Sequence, residues 1–385
     1  MISKLESKIF GKNNRFQLTT KEKKELKKDF KNSTILITGA AGSIGSIFTK
    51  ELKNFDFKKI YLLDKDENSL ADLARSLNLL FKSKVKKIYF TCCDLNSINL
   101  HNFLKEKKIS HYFNFAALKH VRSEETYESS IYMFKTNCIY PFNFGDLSKL
   151  QHIKKIFFIS TDKAVHPLSV MGLTKKIMES NLSIVKNKHP KKFVSSVRFA
   201  NVSFSNGSLL KNIYEKTLDN IPFGVPINVK RYFIKQKEAA NLCMKSLLNK
   251  CDGKILIPSY KSVGKAYDLK KISEQIVIEL GKKPKFVFKL QKTHKNSQQI
   301  ILHKKKIMGQ KFIEEMYEKN EKIIDFGSSQ LLFLSPLKKS FETKLINKKV
   351  LNSKNIYELR KILQKISNNE NFQIFQNADE LNKII

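Results

Sequence analysis

The run Thr34-Ile35-Leu36-Ile37-Thr38-Gly39-Ala40-Ala41-Gly42-Ser43-Ile44-Gly45 constrains this chain more than any other stretch. Its apolar and β-branched start reads as a buried strand, and Ile47, Phe48 and Leu52 begin an amphipathic helix directly after the glycines. A glycine turn between strand and helix lets backbone approach a pyrophosphate while the N–H groups of the helix start face the anion. A second strand, Ile60-Tyr61-Leu62-Leu63, ends in Asp64, where an acid can hold a ribose hydroxyl. This pattern predicts an α/β chain with a Rossmann-type, doubly wound parallel sheet. Gly39, Ala41, Gly42, Ser43, Ile44, Gly45 and Asp64 would surround the dinucleotide. Asp64 favours NAD, and the adjacent Lys65 leaves NADP open because a lysine can meet a 2′-phosphate.

The strand signals continue in a regular series. Lys87 to Phe90 leads into Asp94-Leu95, where the acid either meets an adenine amino group or caps the next helix. The strand beginning at His111 runs to Ala116-Ala117, a pair small enough for cofactor to pass closely. Lys119 and His120 come next, as substrate contacts or as a solvated turn. Asn137, on the following helix, must find partners if buried and could bridge strands near the site.

The apolar strand Ile156-Phe157-Phe158-Ile159 then delivers Thr161, Asp162 and Lys163 to a sheet end, where ligands of open α/β folds bind. Thr can orient a hydroxyl, Asp can exchange a proton, and a desolvated Lys can act as a base. Taken alone, Thr-Asp-Lys reads more readily as a polar loop with an exposed ion pair, and the rest of the chain is what favours a site. The strand from Phe193 brings Arg198 and Asn201 to the substrate side, with helix capping as the structural alternative for Asn201, and Ser205-Asn206-Gly207-Ser208 adds loop hydroxyls and N–H groups.

The formal charge of +37 would ordinarily suggest nucleic acid. Lysine is dispersed through almost every segment, however, and arginine occurs only at positions 15, 75, 122, 198, 231 and 360, so no nucleic-acid partner is expected. The five cysteines form no Cys-x-x-Cys pair, which argues against zinc or a disulfide scaffold. No apolar run approaches bilayer length, and a cytoplasmic homo-oligomer is the expectation. The layout expected is a basic N-terminal arm (1–32), a dinucleotide-binding domain with some substrate loops (33–260), a smaller substrate lobe (261–330) and a C-terminal helical extension (331–385) carrying no readable chemistry.

Gly-x-x-Gly-x-x-Gly, Ala-Ala-Leu-Lys-His-Val, Lys-Thr-Asn, Ser-Thr-Asp-Lys-Ala-Val-x-Pro-x-x-Val-Met-Gly-x-Thr-Lys and Arg-Phe-x-Asn-Val together resemble the polysaccharide-biosynthesis branch of the extended short-chain dehydrogenases/reductases. Within it the chain is similar to the UDP-N-acetylglucosamine 4,6-dehydratases over about residues 33–248, with weaker echoes at Arg231-Tyr232-Phe233 and at Gly309 to Glu315. The usual Tyr-x-x-x-Lys pair stands here as Met171-x-x-x-Lys175, as in one branch of that family. The resemblance implies that Lys175 holds the nicotinamide ribose and that Thr161 assists oxidation of the sugar at C4. It further implies that Lys163 removes the C5 proton and Asp162 protonates the leaving C6 hydroxyl, although the last two roles could be exchanged. Lys119, His120, Met171, Arg198, Asn201, Ser205 and Arg231 are the expected contacts to a UDP-sugar. A nucleotide-sugar 4-epimerase is the enzymatic rival, and a non-catalytic dinucleotide-binding interaction protein the rival from another class.

Overall fold

The computed structural model describes residues 2–291, 296–304, 311–328, 330–335 and 348–367 of the chain. The N-terminal segment forms α1 (Ile2–Phe10) and α2 (Thr20–Phe30). The alternating pattern then yields β1 (Thr34–Thr38), α3 (Ser43–Glu51), β2 (Lys59–Asp64), α4 (Glu67–Phe81), β3 (Ile88–Cys92), α5 (Leu100–Glu106) and β4 (His111–Asn114). Next come α6 (Tyr127–Phe134), β5 (Lys155–Ile159), α7 (Val170–Lys188), β6 (Phe193–Val197), β7 (Asn201–Val202), α8 (Leu209–Leu218) and β8 (Phe223–Pro226). They are followed by β9 (Lys230–Arg231), β10 (Phe233–Ile234), α9 (Gln236–Lys245), β11 (Lys254–Pro258), α10 (Tyr260–Val263), β12 (Tyr267–Asp268) and α11 (Leu269–Glu279). The remaining described elements are β13 (Lys283–Val287), β14 (Ser297–His303), β15 (Ile323–Ser328), β16 (Leu331–Leu334) and α12 (Ile356–Ser367).

The main sheet has nine strands in the order β15-β16-β11-β6-β5-β4-β1-β2-β3. All neighbours from β11 to β3 pair in parallel, and β16 and β15 extend the sheet antiparallel. Every residue of β1 and β5 is buried, as a central parallel strand covered on both faces requires. The strand order reverses at β1 and β4, the crevice where doubly wound sheets bind ligands. Register aligns the ends there: Thr38 pairs with Asn114, Asn114 with Phe158, and Ile159 with Val197. The segments leaving β1, β4, β5 and β6 therefore emerge along one edge.

Two features of the expected layout are corrected. The smaller lobe is not the continuous 261–330 segment: Leu5 and Ile9 of α1, Leu210 and Ile213 of α8, Phe223 of β8 and Ile272 of α11 share one core. Conversely β15 and β16 return to the main sheet, so the boundary at 331 falls inside a hairpin. The N-terminal segment is integral: α2 carries a capping box of Thr19 and Glu22, buries Leu26 and Phe30, and Asp29 accepts a hydrogen bond from Lys155 at 2.6 Å. Residues 336–347 and 368–385 of the expected C-terminal extension, like Gly309 and Gln310, lie outside the described residues.

Candidate active site

Gly39 adopts φ +67°, and a Cβ there would stand 2.4 Å from the Ala116 nitrogen. At Gly45 a Cβ would stand 2.3 Å from the Gly39 carbonyl oxygen. The first turn of α3 therefore sits directly against the end of β1, with Gly42 as its N-cap and no side chain capping its N–H groups. Asp64 braces this loop by accepting the Ala41 N–H at 2.9 Å and the Asp66 N–H at 3.1 Å. Asp94 accepts the Asn96 N–H at 2.9 Å and the Tyr132 hydroxyl, while Leu95 is buried beneath the same strand end. Lys65 reaches the Tyr132 hydroxyl at 3.3 Å, so Tyr132, which sequence reasoning missed, ties the two acidic strand ends together. A cradle that only glycine fits, open helix N–H groups and two strand-end carboxylates match what a dinucleotide needs.

Three further expected cofactor positions, Ile44, Ala116 and Ala117, line the same edge, half-buried. The Ser43 hydroxyl instead accepts the Asn206 N–H at 2.7 Å, which places the Ser205 to Ser208 loop above the glycine turn. The ring of His120 packs on Gly207, where a Cβ would meet it at 2.5 Å. Lys119 and His120 are exposed at this rim, and partial burial together with neighbouring cations, Lys211 and Lys119 respectively, pulls both below their ordinary pKa. Asn137 finds partners, though not between strands: it accepts the Leu118 N–H at 2.9 Å and donates to the Leu118 carbonyl, past the end of β4, and to the Thr174 hydroxyl on α7.

Thr161, Asp162 and Lys163 form a compact turn beyond β5. Asp162 is fully buried, and its Oδ1 accepts both the Thr161 hydroxyl at 2.9 Å and the Lys163 ammonium at 3.0 Å. Its Oδ2 is buried with no hydrogen-bond partner among the described residues. Lys163 also donates to Asn201 Oδ1 at 3.3 Å, and Asn201 donates in turn to the Tyr232 carbonyl. Burial pulls Lys163 down, but the carboxylates of Asp162 and Glu314 outweigh it and hold the ammonium above the ordinary lysine pKa. Glu314 Oε1 lies 3.9 Å from both Lys163 Nζ and Arg231 Nη2, so Arg231 neighbours the acid–base cluster. The clue to Glu314 in the sequence was only the weak echo around Gly309 to Glu315, where two adjacent glutamates gave no reason to choose one.

Lys175 is buried on α7 and donates to the Ile159 carbonyl at 3.0 Å, which puts it one strand end from Thr161. Burial pulls its pKa down to about 8. Gly172, between Met171 and Lys175, admits no side chain, because a Cβ would stand 2.4 Å from the Lys163 carbonyl oxygen. Gly172→Ala is accordingly expected to push α7 off the Lys163 turn. It should cost about 1–3 kcal/mol of stability, measurable by denaturant unfolding, and lower turnover more than it lowers cofactor binding.

Two expected substrate contacts are corrected. Arg198 is buried and directs its N–H groups to Glu179 (2.7 and 2.7 Å), Glu321 (2.8 and 2.7 Å) and the Met316 carbonyl, leaving none for a diphosphate. Met171 lies 2% exposed in an apolar cluster with Met133, Phe134, Leu173, Leu359 and Leu363, so its thioether belongs to the core. The backbone N–H of Met171 donates to Glu124 at 2.9 Å, and burial raises that carboxyl to about 7. The helix α12, from the segment in which no chemistry was readable, closes this cluster and sends Arg360 to the Glu124 carbonyl.

Among the described residues no group of three or more His, Cys, Asp or Glu could hold a metal, and no helix is long and apolar enough to cross a membrane. The profile of a family described as polysaccharide biosynthesis protein matches residues 35–334. Capsular polysaccharide biosynthesis protein CapD of Staphylococcus aureus is 27% identical over 76% of this chain and 49% of its own length. The chain thus spans about half of that relative. The membrane protein MJ1061 of Methanocaldococcus jannaschii, itself uncharacterized, is 31% identical over 88% of this chain and 97% of its own length. In fold the chain is similar to Pen from Bacillus thuringiensis (TM-score 0.66, 21% identity, 81% of this chain and 90% of that one). It is also similar to UDP-glucuronic acid 4-epimerase from Bacillus cereus, solved with UDP-glucuronic acid and NAD (TM-score 0.57, 19% identity, 74% and 90%).

Proposed function

The chain belongs to the polysaccharide biosynthesis protein family, and from that premise we propose that it is a nucleotide-sugar 4,6-dehydratase. On this reading it binds NAD and converts UDP-N-acetylglucosamine to a UDP-4-keto-6-deoxy-N-acetylhexosamine for a surface polysaccharide. One observation carries it: a hydrogen-bonded Thr161–Asp162–Lys163 chain at the end of β5, centred on the buried Asp162 carboxylate, whose second oxygen has no hydrogen-bond partner among the described residues. The fold neighbour solved with a UDP-sugar and NAD supports the choice of ligands. The glycine cradle and Asp64 support the dinucleotide, and Lys175, one strand end from Thr161, suits its nicotinamide ribose.

A bound dinucleotide, held by the glycine cradle, Asp64 and Lys175, would supply reversible hydride transfer between C4 and C6. This chain's residues handle the protons. The C4 hydroxyl gives its proton through the Thr161 hydroxyl to Asp162, replacing the tyrosine that Met171 cannot imitate. The C4 ketone acidifies the C5 proton, which Lys163 removes, and Asp162 passes its proton to the departing C6 hydroxyl. The proton taken from C4 thus leaves in the water, and Lys163 returns a proton to C5 as hydride reaches C6. Asn201 fixes the Lys163 head from a third side.

The test is NMR of protein incubated with UDP-N-acetylglucosamine in deuterated water without added reductant. A C6 methyl with deuterium at C5 is expected. Formation of the C4 epimer without a methyl would replace this reading with that of an epimerase.

A further inference from the structure

The proton count of that reaction demands one group more than Thr161, Asp162 and Lys163. In the resting site Lys163 is an ammonium, held between the Asp162 and Glu314 carboxylates. Once Asp162 has taken the C4 proton it is neutral, yet Lys163 must lose its own proton before it can attack C5–H. Asp162 cannot accept both protons. An acceptor is needed within reach of Lys163 Nζ, and it must return the proton at the end of each cycle.

Resting on the dehydratase reading, we propose that Glu314 is this acceptor, a positioning residue that acts through Lys163 by holding its proton while the lysine serves as the base. Glu314 is 3% exposed, and its Oε1 stands 3.9 Å from Lys163 Nζ, an ion pair just outside hydrogen-bond distance. Its Oε2 is buried without a hydrogen-bond partner among the described residues, so its hydrogen-bonding capacity is unspent. Arg231, 3.9 Å away on β9, places a countercharge beside this carboxylate.

The balance closes. The C4 proton goes to Asp162 and the Lys163 proton to Glu314. Lys163 then takes the C5 proton while Asp162 gives its proton to the leaving hydroxyl. Lys163 returns a proton to C5, and Glu314 recharges Lys163, which restores the starting state. The charged groups facing Lys163 are Asp162 on its own turn, Glu314 and Lys311 on the segment before β15, and Arg231 on β9.

The experiment measures the protonation of Lys163 directly. Wild type, Glu314→Gln and Glu314→Asp are each labelled by competitive acetylation across pH, and modification of Lys163 is quantified by mass spectrometry; turnover is followed in parallel. Glu314→Gln should move the Lys163 midpoint about one pH unit lower, cut kcat at least about tenfold and change KM less. Glu314→Asp should shift the midpoint in the same direction by less and recover part of the rate. It also serves as the decisive variant if the glutamine protein does not fold. An unmoved Lys163 midpoint in a folded variant overturns the proposal. A moved midpoint in a protein that never forms a methyl would instead overturn the dehydratase reading and leave the Lys163–Glu314 coupling in place.

Discussion

Replacing Lys163 by methionine is expected to stop methyl formation while leaving C4 oxidation intact, with overall turnover lower by about 10²- to 10⁴-fold. The side chain keeps its length and its apolar stem, so the turn against Gly172 and the fold should survive. What disappears, on the proposed mechanism, is the group assigned to take the C5 proton after C4 becomes a ketone. Thr161 and Asp162, hydrogen-bonded to each other, still receive the C4 hydroxyl proton. Quenching the reaction with borodeuteride should therefore label C4 of a sugar that retains its C6 hydroxyl. Asp162→Asn should fail one step earlier, with little label at C4, because the amide cannot take the proton passed through Thr161. Methyl formation within tenfold of wild type in Lys163→Met would assign the C5 base to another group.

The parts of this molecule legible in its sequence are those whose chemistry is local. A glycine that must adopt positive φ announces itself between a strand and a helix, and Gly39 stands where the turn demands one. Thr161 to Lys163 were legible for the same reason, since a strand end places its next three residues at the ligand edge whatever else folds around them. Contacts closed by distant segments were not legible. Glu314 reaches Lys163 from a segment 151 positions away, and no periodicity records that approach. Met171 sits where family resemblance places a reacting group, yet α12 covers it, and an amphipathic helix does not declare in its sequence which face of which partner it will cover.

Arg198 shows the same limit at the level of one side chain, and it yields the second large effect. An arginine following a strand into the substrate side suits a diphosphate, but it suits a carboxylate equally, because the same planar fork recognises both. The structure spends that fork on Glu179 from α7 and Glu321 from the turn before β15, and thereby ties α7 to the hairpin that extends the main sheet. Arg198→Met should destabilise the protein by about 3–5 kcal/mol in denaturant unfolding, because two buried carboxylates lose their common partner. Arg198→Lys should recover little, as one ammonium cannot meet two carboxylates bidentately. The KM for UDP-sugar of the folded fraction should stay within about twofold of wild type. A large rise in KM with unchanged stability would return Arg198 to the substrate.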